Sequence, residues 1–138
     1  MSTIKTIKAL KDGGVKEPRV IFMGAGMSGI LMGINLLKAG LTNFSIYEKR
    51  STIGGTWREN TYPGIACDIP SYFYTYSFEP NPHWTRRFPP GSEIQAYFER
   101  VFEKYQLASY TTFNEEITNT QHKDGQWHVE TASGKTDT

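Results

Sequence analysis

The feature that most constrains this chain is a glycine-rich turn that directly follows a short apolar run. Residues 20–23 read VIFM and are followed by GAGMSG, which places Gly24, Gly26 and Gly29 at the spacing G-x-G-x-x-G. A β-branched and aromatic run of this length predicts a buried parallel strand. The first glycine permits a tight turn, the second lets backbone approach a pyrophosphate, and the third lets a helix pack closely on the strand. The pattern therefore predicts a phosphate-binding turn between a strand and a helix.

The sequence after this turn completes a β-α-β pattern. Apolar residues recur at helical spacing from Met27, Gly40 stands where a helix C-cap glycine is expected, and residues 44–48 read FSIYE. In dinucleotide-binding folds, an acid about 20 residues beyond the glycines, at the end of the second strand, accepts a hydrogen bond from a ribose hydroxyl. Glu48 occupies that position. Two basic residues follow it and could favour a phosphorylated ribose, so Glu48 by itself does not exclude NADP.

Charge and composition exclude several classes of function. The 138 residues carry a formal net charge of +1, which provides no basic field for nucleic acid. Cys67 is the single cysteine and cannot form an internal disulfide, which indicates a reducing, cytoplasmic setting. The stretch 20–40 is interrupted by five glycines and a lysine, which argues against a membrane span. The three histidines lack the spacing of a metal site.

The rest of the chain divides into a leader, a long loop, a helix and a hairpin region. Residues 1–18 are polar and predict a flexible leader, so we expect an ordered domain over 19–138. Residues 51–91 predict an ordered loop, because prolines and glycines interrupt them while nine aromatic residues require burial. The alternation of aromatic residues over 72–78 also fits one buried strand face.

The carboxyl-terminal third predicts a helix and then strands. Ser92 and Gln95 have the spacing of a capping box and predict the start of an amphipathic helix that packs on the sheet. Residues 110–117 predict a strand, and an Asp-Gly turn at 124–125 lies between two alternating stretches of an antiparallel meander. The chain ends where a third meander strand is expected to begin, so we expect a domain truncated before its final strands.

Four segments carry a resemblance to a known family. They read GAGMSG, YEKRSTIGGTW, NTYPGIACDIPS and YTYSFEPNPHW and, with the helix and hairpin that follow, they cover about residues 19–134. In this order they resemble the amino-terminal FAD-binding segment of the flavin-dependent monooxygenases, and among these the Baeyer–Villiger monooxygenases. The resemblance implies an α/β class, with an incomplete Rossmann-like FAD-binding fold in three layers: a parallel sheet, a crossover helix and a β-meander.

The resemblance also implies roles for individual residues. Asp68 is the implied catalytic residue, because an acid at this position of the family helps to orient an active-site arginine. An aspartate in a proline-bounded loop is otherwise typical of an Asx turn. Ile117 would reach the adenine through its backbone. The implied cofactor-binding residues are Gly24, Gly26, Ser28, Gly29, Glu48, Gly55, Thr56, Trp57, Asp68, Tyr74 and Ile117, and no metal is implied. The sequence departs from many members of the family where Arg58 and Glu59, in place of aromatic residues, follow GGTW.

The implied cofactors are FAD and NADPH, and the implied reaction converts a ketone and O2 to an ester or lactone through a C4a-peroxyflavin. A second G-x-G-x-x-G motif, the active-site arginine and the substrate domain of the family do not occur in these residues. We therefore expect the chain alone to be inactive, most of the NADPH site to lie outside it, and an open sheet edge to favour association. A non-catalytic FAD- or NAD-binding module and an N- or S-oxygenating monooxygenase remain open as alternatives.

Overall fold

A parallel sheet with its crossover helix is followed along the chain by an antiparallel meander. The computed structural model describes residues 17–138. Two 3-10 helices span Ser71–Phe73 and Leu107–Tyr110. The helices and strands are, in order, β1 (Val20–Met23), α1 (Met27–Lys38), β2 (Phe44–Tyr47), α2 (Thr56–Glu59), α3 (Gly91–Lys104), β3 (Thr111–Thr112), β4 (Ile117–Lys123), β5 (Gln126–Thr131) and β6 (Thr136–Asp137).

The predicted β-α-β unit is confirmed. β2 lies between β1 and β3 and is parallel to both, with Val20 opposite Phe44 and Ile46 opposite Thr111. α1 ends where expected, since Gly40 follows it with a φ of +75°, a left-handed conformation that glycine adopts without steric cost. The carboxyl ends of β1 and β2, and the turns that follow them, therefore lie at the same end of the sheet.

The core joins both long helices to the central strand. Ile30 and Ile34 of α1 are fully buried, as is Ile46 of β2. α3 contributes the apolar face that its helical spacing predicts, which consists of the buried residues Ile94, Tyr97, Phe98, Val101 and Phe102. The long helix α3 therefore packs in one core with the sheet and with the loop that precedes it.

The capping-box prediction at the start of α3 is wrong. The helix begins at Gly91, two residues earlier than a cap at Ser92 predicts, and Pro90 stands at the N-cap with a φ of −65° and no side-chain cap. Proline fixes that φ by its ring, so the extended loop ends there. Gln95 donates instead from Nε2 to the backbone oxygen of Ile53 at 2.9 Å and to Glu99 Oε1 at 2.8 Å. Its side chain therefore secures a loop 42 residues earlier in the chain.

The loop 51–91 is ordered, as predicted, but its aromatic residues do not form a strand face. Tyr76 is buried, and its hydroxyl donates to the backbone oxygen of Met27 at 2.7 Å. Tyr72 and Phe73 are instead 61% and 71% exposed and lie in a 3-10 helix. The first residue of that helix, Ser71, follows Pro70, whose fixed φ and missing N–H favour a turn over a ladder.

The predicted strand over 110–117 is also mostly absent. Only Thr111 and Thr112 pair with β2, and Asn114 then turns the chain with a φ of +55°. The backbone N–H of Glu115 donates to the oxygen of Glu48 at 2.9 Å, which brings the start of the meander to the end of β2. The predicted hairpin at 124–125 is confirmed, because β4 and β5 pair antiparallel around Asp124 and Gly125, both with positive φ.

Of the predicted leader, residues 1–18, the first 16 residues lie outside the part of the chain that the structure describes. Glu17 accepts hydrogen bonds from the backbone N–H groups of Thr42 and Asn43, at 2.6 and 3.0 Å. Within residues 17–138, no helix has the length and apolar character needed to cross a membrane. The same residues contain no group of three or more His, Cys, Asp or Glu side chains that could hold a metal ion.

Candidate cofactor cleft

The first wall of the candidate site is the glycine turn between β1 and α1. Gly24 has a φ of +96°, and its N–H donates to the backbone oxygen of Tyr47 at 2.8 Å. A Cβ atom added at Gly29 would lie 2.1 Å from the Gly24 oxygen, so only glycine permits this approach of helix to turn. Gly26 stands at the N-cap of α1 without a side-chain cap, and no acidic residue lies in the first turn. The positive end of the helix therefore faces the cleft.

The second wall is the glycine pair that precedes α2. Gly54 donates from its N–H to the backbone oxygen of Ala25 at 3.1 Å, which joins the two glycine loops directly. A Cβ atom added at Gly55 would lie 3.3 Å from the Cα of Gly26. Gly54 has a φ of +124°, which side chains rarely adopt, and a Cβ atom there would displace the amide of Gln95, whose Oε1 would lie 1.8 Å away. Backbone thus faces backbone across the two loops.

The two loops enclose what we call the glycine cleft. It consists of two adjoining cavities, of about 410 and 310 Å³, that share Met23, Gly24, Gly26, Gly55 and Thr56 as lining residues. The larger cavity extends towards Glu48 and Ile117, and the smaller one extends along the start of α1 towards Trp57. Ten of the eleven cofactor-binding residues predicted from the sequence therefore line one continuous cleft, namely Gly24, Gly26, Ser28, Gly29, Glu48, Gly55, Thr56, Trp57, Tyr74 and Ile117.

Glu48 is held rigidly at one end of the cleft. Its side chain is buried, with Oε2 accepting from the N–H of Ala25 at 2.7 Å and Oε1 accepting from the N–H of Arg50 at 2.9 Å. A carboxylate has about four lone-pair positions, so these two bonds leave capacity for a hydroxyl donor from a ligand. The carboxylate also fixes the glycine turn to the end of β2, a structural role that the sequence pattern does not reveal.

An aromatic pair closes the other end. Trp57 Nε1 donates to the hydroxyl of Tyr74 at 3.0 Å, and the two rings meet edge to face with centroids 5.6 Å apart. Tyr74 also contacts Phe98 of the core, at 6.5 Å between ring centroids. Both side chains are half-buried, so they form a firm apolar wall that still has surface facing the smaller cavity.

Asp68 lies apart from this cleft. It is exposed in the loop after α2 and lines neither of the two cavities. The buried neighbour Cys67 accepts a hydrogen bond at Sγ from the N–H of Ile69 at 3.4 Å, and its burial agrees with its interpretation as a small core residue. The catalytic and cofactor-binding roles of Asp68 stay predictions.

Two acidic residues that were not predicted as site residues line the larger cavity. Glu59 of α2 and Glu116 lie there beside Lys49, close to Glu48. Arg50 donates from Nε to Glu59 Oε1 at 3.0 Å and holds the pKa of that carboxyl below its usual range, with a further contribution from Lys49. Only the departure of Arg58 and Glu59 from the pattern after GGTW pointed to this position in advance.

The comparisons with known proteins agree with this geometry. Residues 23–89 match the NAD(P)-binding Rossmann-like domain family. The chain is 46% identical over 118 residues to a Baeyer–Villiger monooxygenase of Pseudomonas aeruginosa. It is 47% identical over 116 residues to an FAD-binding monooxygenase of Botryotinia fuckeliana. These matches cover 84% and 80% of this chain, and in both cases 22% of the length of the relative.

Solved structures give the same relationship at the level of fold. An oxidized steroid monooxygenase bound to NADP superposes with a TM-score of 0.80 at 32% identity, over 85% of this chain and 23% of that one. An open structure of cyclohexanone monooxygenase gives 0.78 at 31% identity, over 86% and 24%. By sequence and by fold, the chain corresponds to the amino-terminal segment of the flavin-dependent monooxygenases of the Baeyer–Villiger type.

Proposed function

We propose that this chain is the FAD-binding segment of an NADPH-dependent flavin monooxygenase that converts ketones and O2 to esters or lactones. The observation that carries the proposal is the glycine cleft, in which two glycine loops meet backbone to backbone beside a buried carboxylate. Gly54 N donates to the Ala25 oxygen and Ala25 N donates to Glu48, so all three parts of the cleft are linked.

The residues of the cleft fit a flavin dinucleotide. No side chain stands between Gly26 and Gly55, so the backbone of both loops is open to a pyrophosphate. The start of α1 favours the negative charge of the phosphates, and the buried Glu48 suits a ribose hydroxyl. Trp57 and Tyr74 offer aromatic surface at the opposite end, where an isoalloxazine ring would need an apolar wall.

The chemistry of such an enzyme resides in the cofactor. When bound, FAD supplies the redox step that activates dioxygen, with NADPH as reductant. In this segment, Gly24, Gly26 and Gly29 bind and orient the phosphates, Glu48 fixes the ribose, and the Trp57–Tyr74 pair excludes water from one end of the cleft.

The proposal includes the extent of the FAD-binding unit and the role of Asp68. Residues 19–138 act as one FAD-binding unit, and Asp68 acts outside the glycine cleft, on the side of the nicotinamide. The chain by itself does not turn over, because it spans 22% of the Baeyer–Villiger monooxygenase it matches and its sequence has no second G-x-G-x-x-G motif. A cytoplasmic location is supported by the single, buried cysteine, Cys67.

The test is an FAD titration of the purified chain and of Gly26→Ala. Gly26 has a φ of −77°, and a Cβ there would lie 3.7 Å from Gly55 Cα, an ordinary contact, so the variant is expected to fold. Its methyl group nevertheless fills the space between the two loops. We expect saturable FAD binding by the wild-type chain, measured by flavin fluorescence and absorbance, and its loss in Gly26→Ala.

Asn35→Ala provides the matched control, because Asn35 is exposed on the same helix and lines no part of the cleft. It is expected to bind FAD as the wild type does. Equal FAD affinity of Gly26→Ala and the wild-type chain, or absence of saturable binding by the wild type, would contradict the assignment of the glycine cleft to FAD.

A further inference from the structure

At the Glu48 end of the glycine cleft, two cations are bound by one carboxylate. Glu59 Oε1 accepts from Arg50 Nε at 3.0 Å and lies 3.9 Å from Lys49 Nζ. Lys49 and Arg50 directly follow Glu48, so they stand beside the position expected for the adenosine ribose. Unpaired cations at this position are the groups that accommodate a 2′-phosphate in NADP-binding folds.

The position of Glu59 is fixed by its backbone hydrogen bond to the second glycine loop. α2 follows directly on the second glycine loop, and the backbone N–H of Glu59 donates to the oxygen of Gly55 at 2.9 Å. On the other side, the N–H of Arg50 donates to Glu48 Oε1 at 2.9 Å. The carboxylate and its two cations are thus held between the proposed phosphate loop and the proposed ribose acceptor.

The charges at this end of the cleft sum to a negative value. Of the residues that line the larger cavity, Glu48, Glu59 and Glu116 carry three negative charges and Lys49 one positive charge. Arg50, which is bound to Glu59, adds a second positive charge. Glu59 is ionised at neutral pH, because Arg50 and Lys49 lower its pKa. A phosphate dianion placed here meets net repulsion and finds both cations already paired.

The pairs contribute little to folding stability. The side chains of Lys49 and Arg50 are 48% and 51% exposed and that of Glu59 is 36% exposed. Ion pairs with this exposure are screened by solvent and salt and have only a small effect on stability. A role in ligand choice explains their arrangement better than a role in the fold.

We propose that Glu59 is a specificity-determining residue of the glycine cleft, which binds Lys49 and Arg50 and so excludes 2′-phosphorylated dinucleotides such as NADP. The cleft then accepts dinucleotides with an unsubstituted adenosine ribose, as in FAD. This inference rests on the proposed function, since it concerns the adenosine end of the same cleft.

The test compares two probes that differ only in the 2′-phosphate, ADP-ribose and 2′-phospho-ADP-ribose. Their dissociation constants are measured by calorimetry or ligand-observed NMR for the wild-type chain and for Glu59→Gln. The wild type is expected to prefer ADP-ribose. In Glu59→Gln the ratio of the two constants should move by about tenfold towards the phosphorylated probe at low ionic strength, and by less at high salt.

Two further variants make the result specific. Glu103→Gln removes the same charge at an exposed position near the end of α3 that lines neither cavity of the cleft, and it should leave the ratio unchanged. Adding Lys49→Ala to Glu59→Gln should reverse part of the gain, because one released cation is lost. Circular dichroism and an unchanged affinity for ADP-ribose show that the variants retain the fold.

The experiment separates the role of Glu59 from the proposed function. An unchanged ratio in Glu59→Gln, with ADP-ribose still bound, would overturn the role of Glu59 and leave the proposed function intact. Failure of the wild type and of every variant to bind ADP-ribose would refute the adenosine site itself and, with it, this inference.

Discussion

The parallel half of the molecule, residues 19–114, and the meander segment, residues 115–138, are stabilised in different ways. The parallel half has a core of fully buried apolar side chains such as Ile30, Ile46 and Leu107. The meander segment buries two apolar side chains, Ile117 and Val129, and two polar ones, Glu115 and Thr131.

Polar contacts compensate for this small apolar core. Lys135 Nζ lies 2.9 Å from Glu115 Oε2, and the N–H of Ser133 donates to Glu115 Oε1 at 3.2 Å. The half with the glycine cleft therefore depends on close packing, while the meander depends on ionisable groups. Packing defects should therefore destabilise the parallel half, whereas changes of pH or surface charge should destabilise the meander segment.

The largest effect on stability is expected from Gly29→Ala, which disrupts the packing of the parallel half. A Cβ at this position would lie 2.1 Å from the backbone oxygen of Gly24, and neither atom can move without opening the turn. We expect a loss of about 3 kcal/mol or more in the free energy of unfolding, measured by urea denaturation. Gly26→Ala, the same change three residues away, should cost less than about 1 kcal/mol. Equal stabilities of the two variants would contradict the close approach of α1 to the turn.

An intermediate effect is expected from acid on the meander segment. Lys135, with further hydrogen bonds from Ser133 and Thr131, lowers the pKa of Glu115 from its ordinary value of 4.5 to about 2. A lowered pKa contributes stability that is present above pH 4.5 and is lost as the pH falls through that of the folded state. The protection factors of the backbone amides in β4–β6, which correct for the intrinsic effect of pH on exchange, should therefore fall between about pH 4.5 and 2, before those of the parallel half change.

Glu115→Gln should remove most of that pH dependence and lower the protection of the meander at pH 7. Glu130→Gln provides the control, because Glu130 is exposed on β5. Meander protection in the wild type that does not change over this pH range would show that Glu115 is not a principal support of the segment.

The smallest effect is expected from Trp127→Lys, at the boundary between the two halves. Trp127 is 61% exposed and, with Ile21 of β1 and Val129 of β5, lines a cavity of about 560 Å³. Among the described residues, β1 pairs only with β2, and we expect the isolated chain to associate through this open edge. The substitution should shift sedimentation towards the monomer and change stability by no more than about 0.5 kcal/mol. His128→Lys, on the opposite face of the strand, should leave the association unchanged.

The parts of the fold that depend on neighbouring residues could be predicted from the sequence. The glycine spacing, the helical period of α1 and the acid at the end of β2 are local patterns, and each defines an element that the structure contains. The same patterns placed ten of the predicted cofactor residues along one cleft. Local steric rules were sufficient because a tight turn, a helix start and a strand end follow one another within 25 residues.

The parts that depend on distant residues could not be predicted. Gln95 has the sequence spacing of a capping residue, but Ile53, 42 positions away, takes its hydrogen bond. Glu59 reaches the larger cavity because its glycine loop is joined to the first one, where Gly54 N donates to the Ala25 oxygen. Glu116 reaches it because Glu115 N donates to the oxygen of Glu48. These long-range contacts arise from the packing of whole elements, so no short-range periodicity of the sequence predicts them.

The contact between the two ends of the described chain has a consequence for the order of folding. Arg19, just before β1, pairs with Asp137 of β6, and Tyr47 donates to the same carboxylate at 2.9 Å. The pair joins residues 118 positions apart, whereas the β4–β5 hairpin is closed by a two-residue turn. Forming a contact over so long a loop carries a large entropy cost, and contacts of high sequence separation slow folding. We therefore expect the hairpin to form early and its attachment to the parallel sheet to be among the last events of folding.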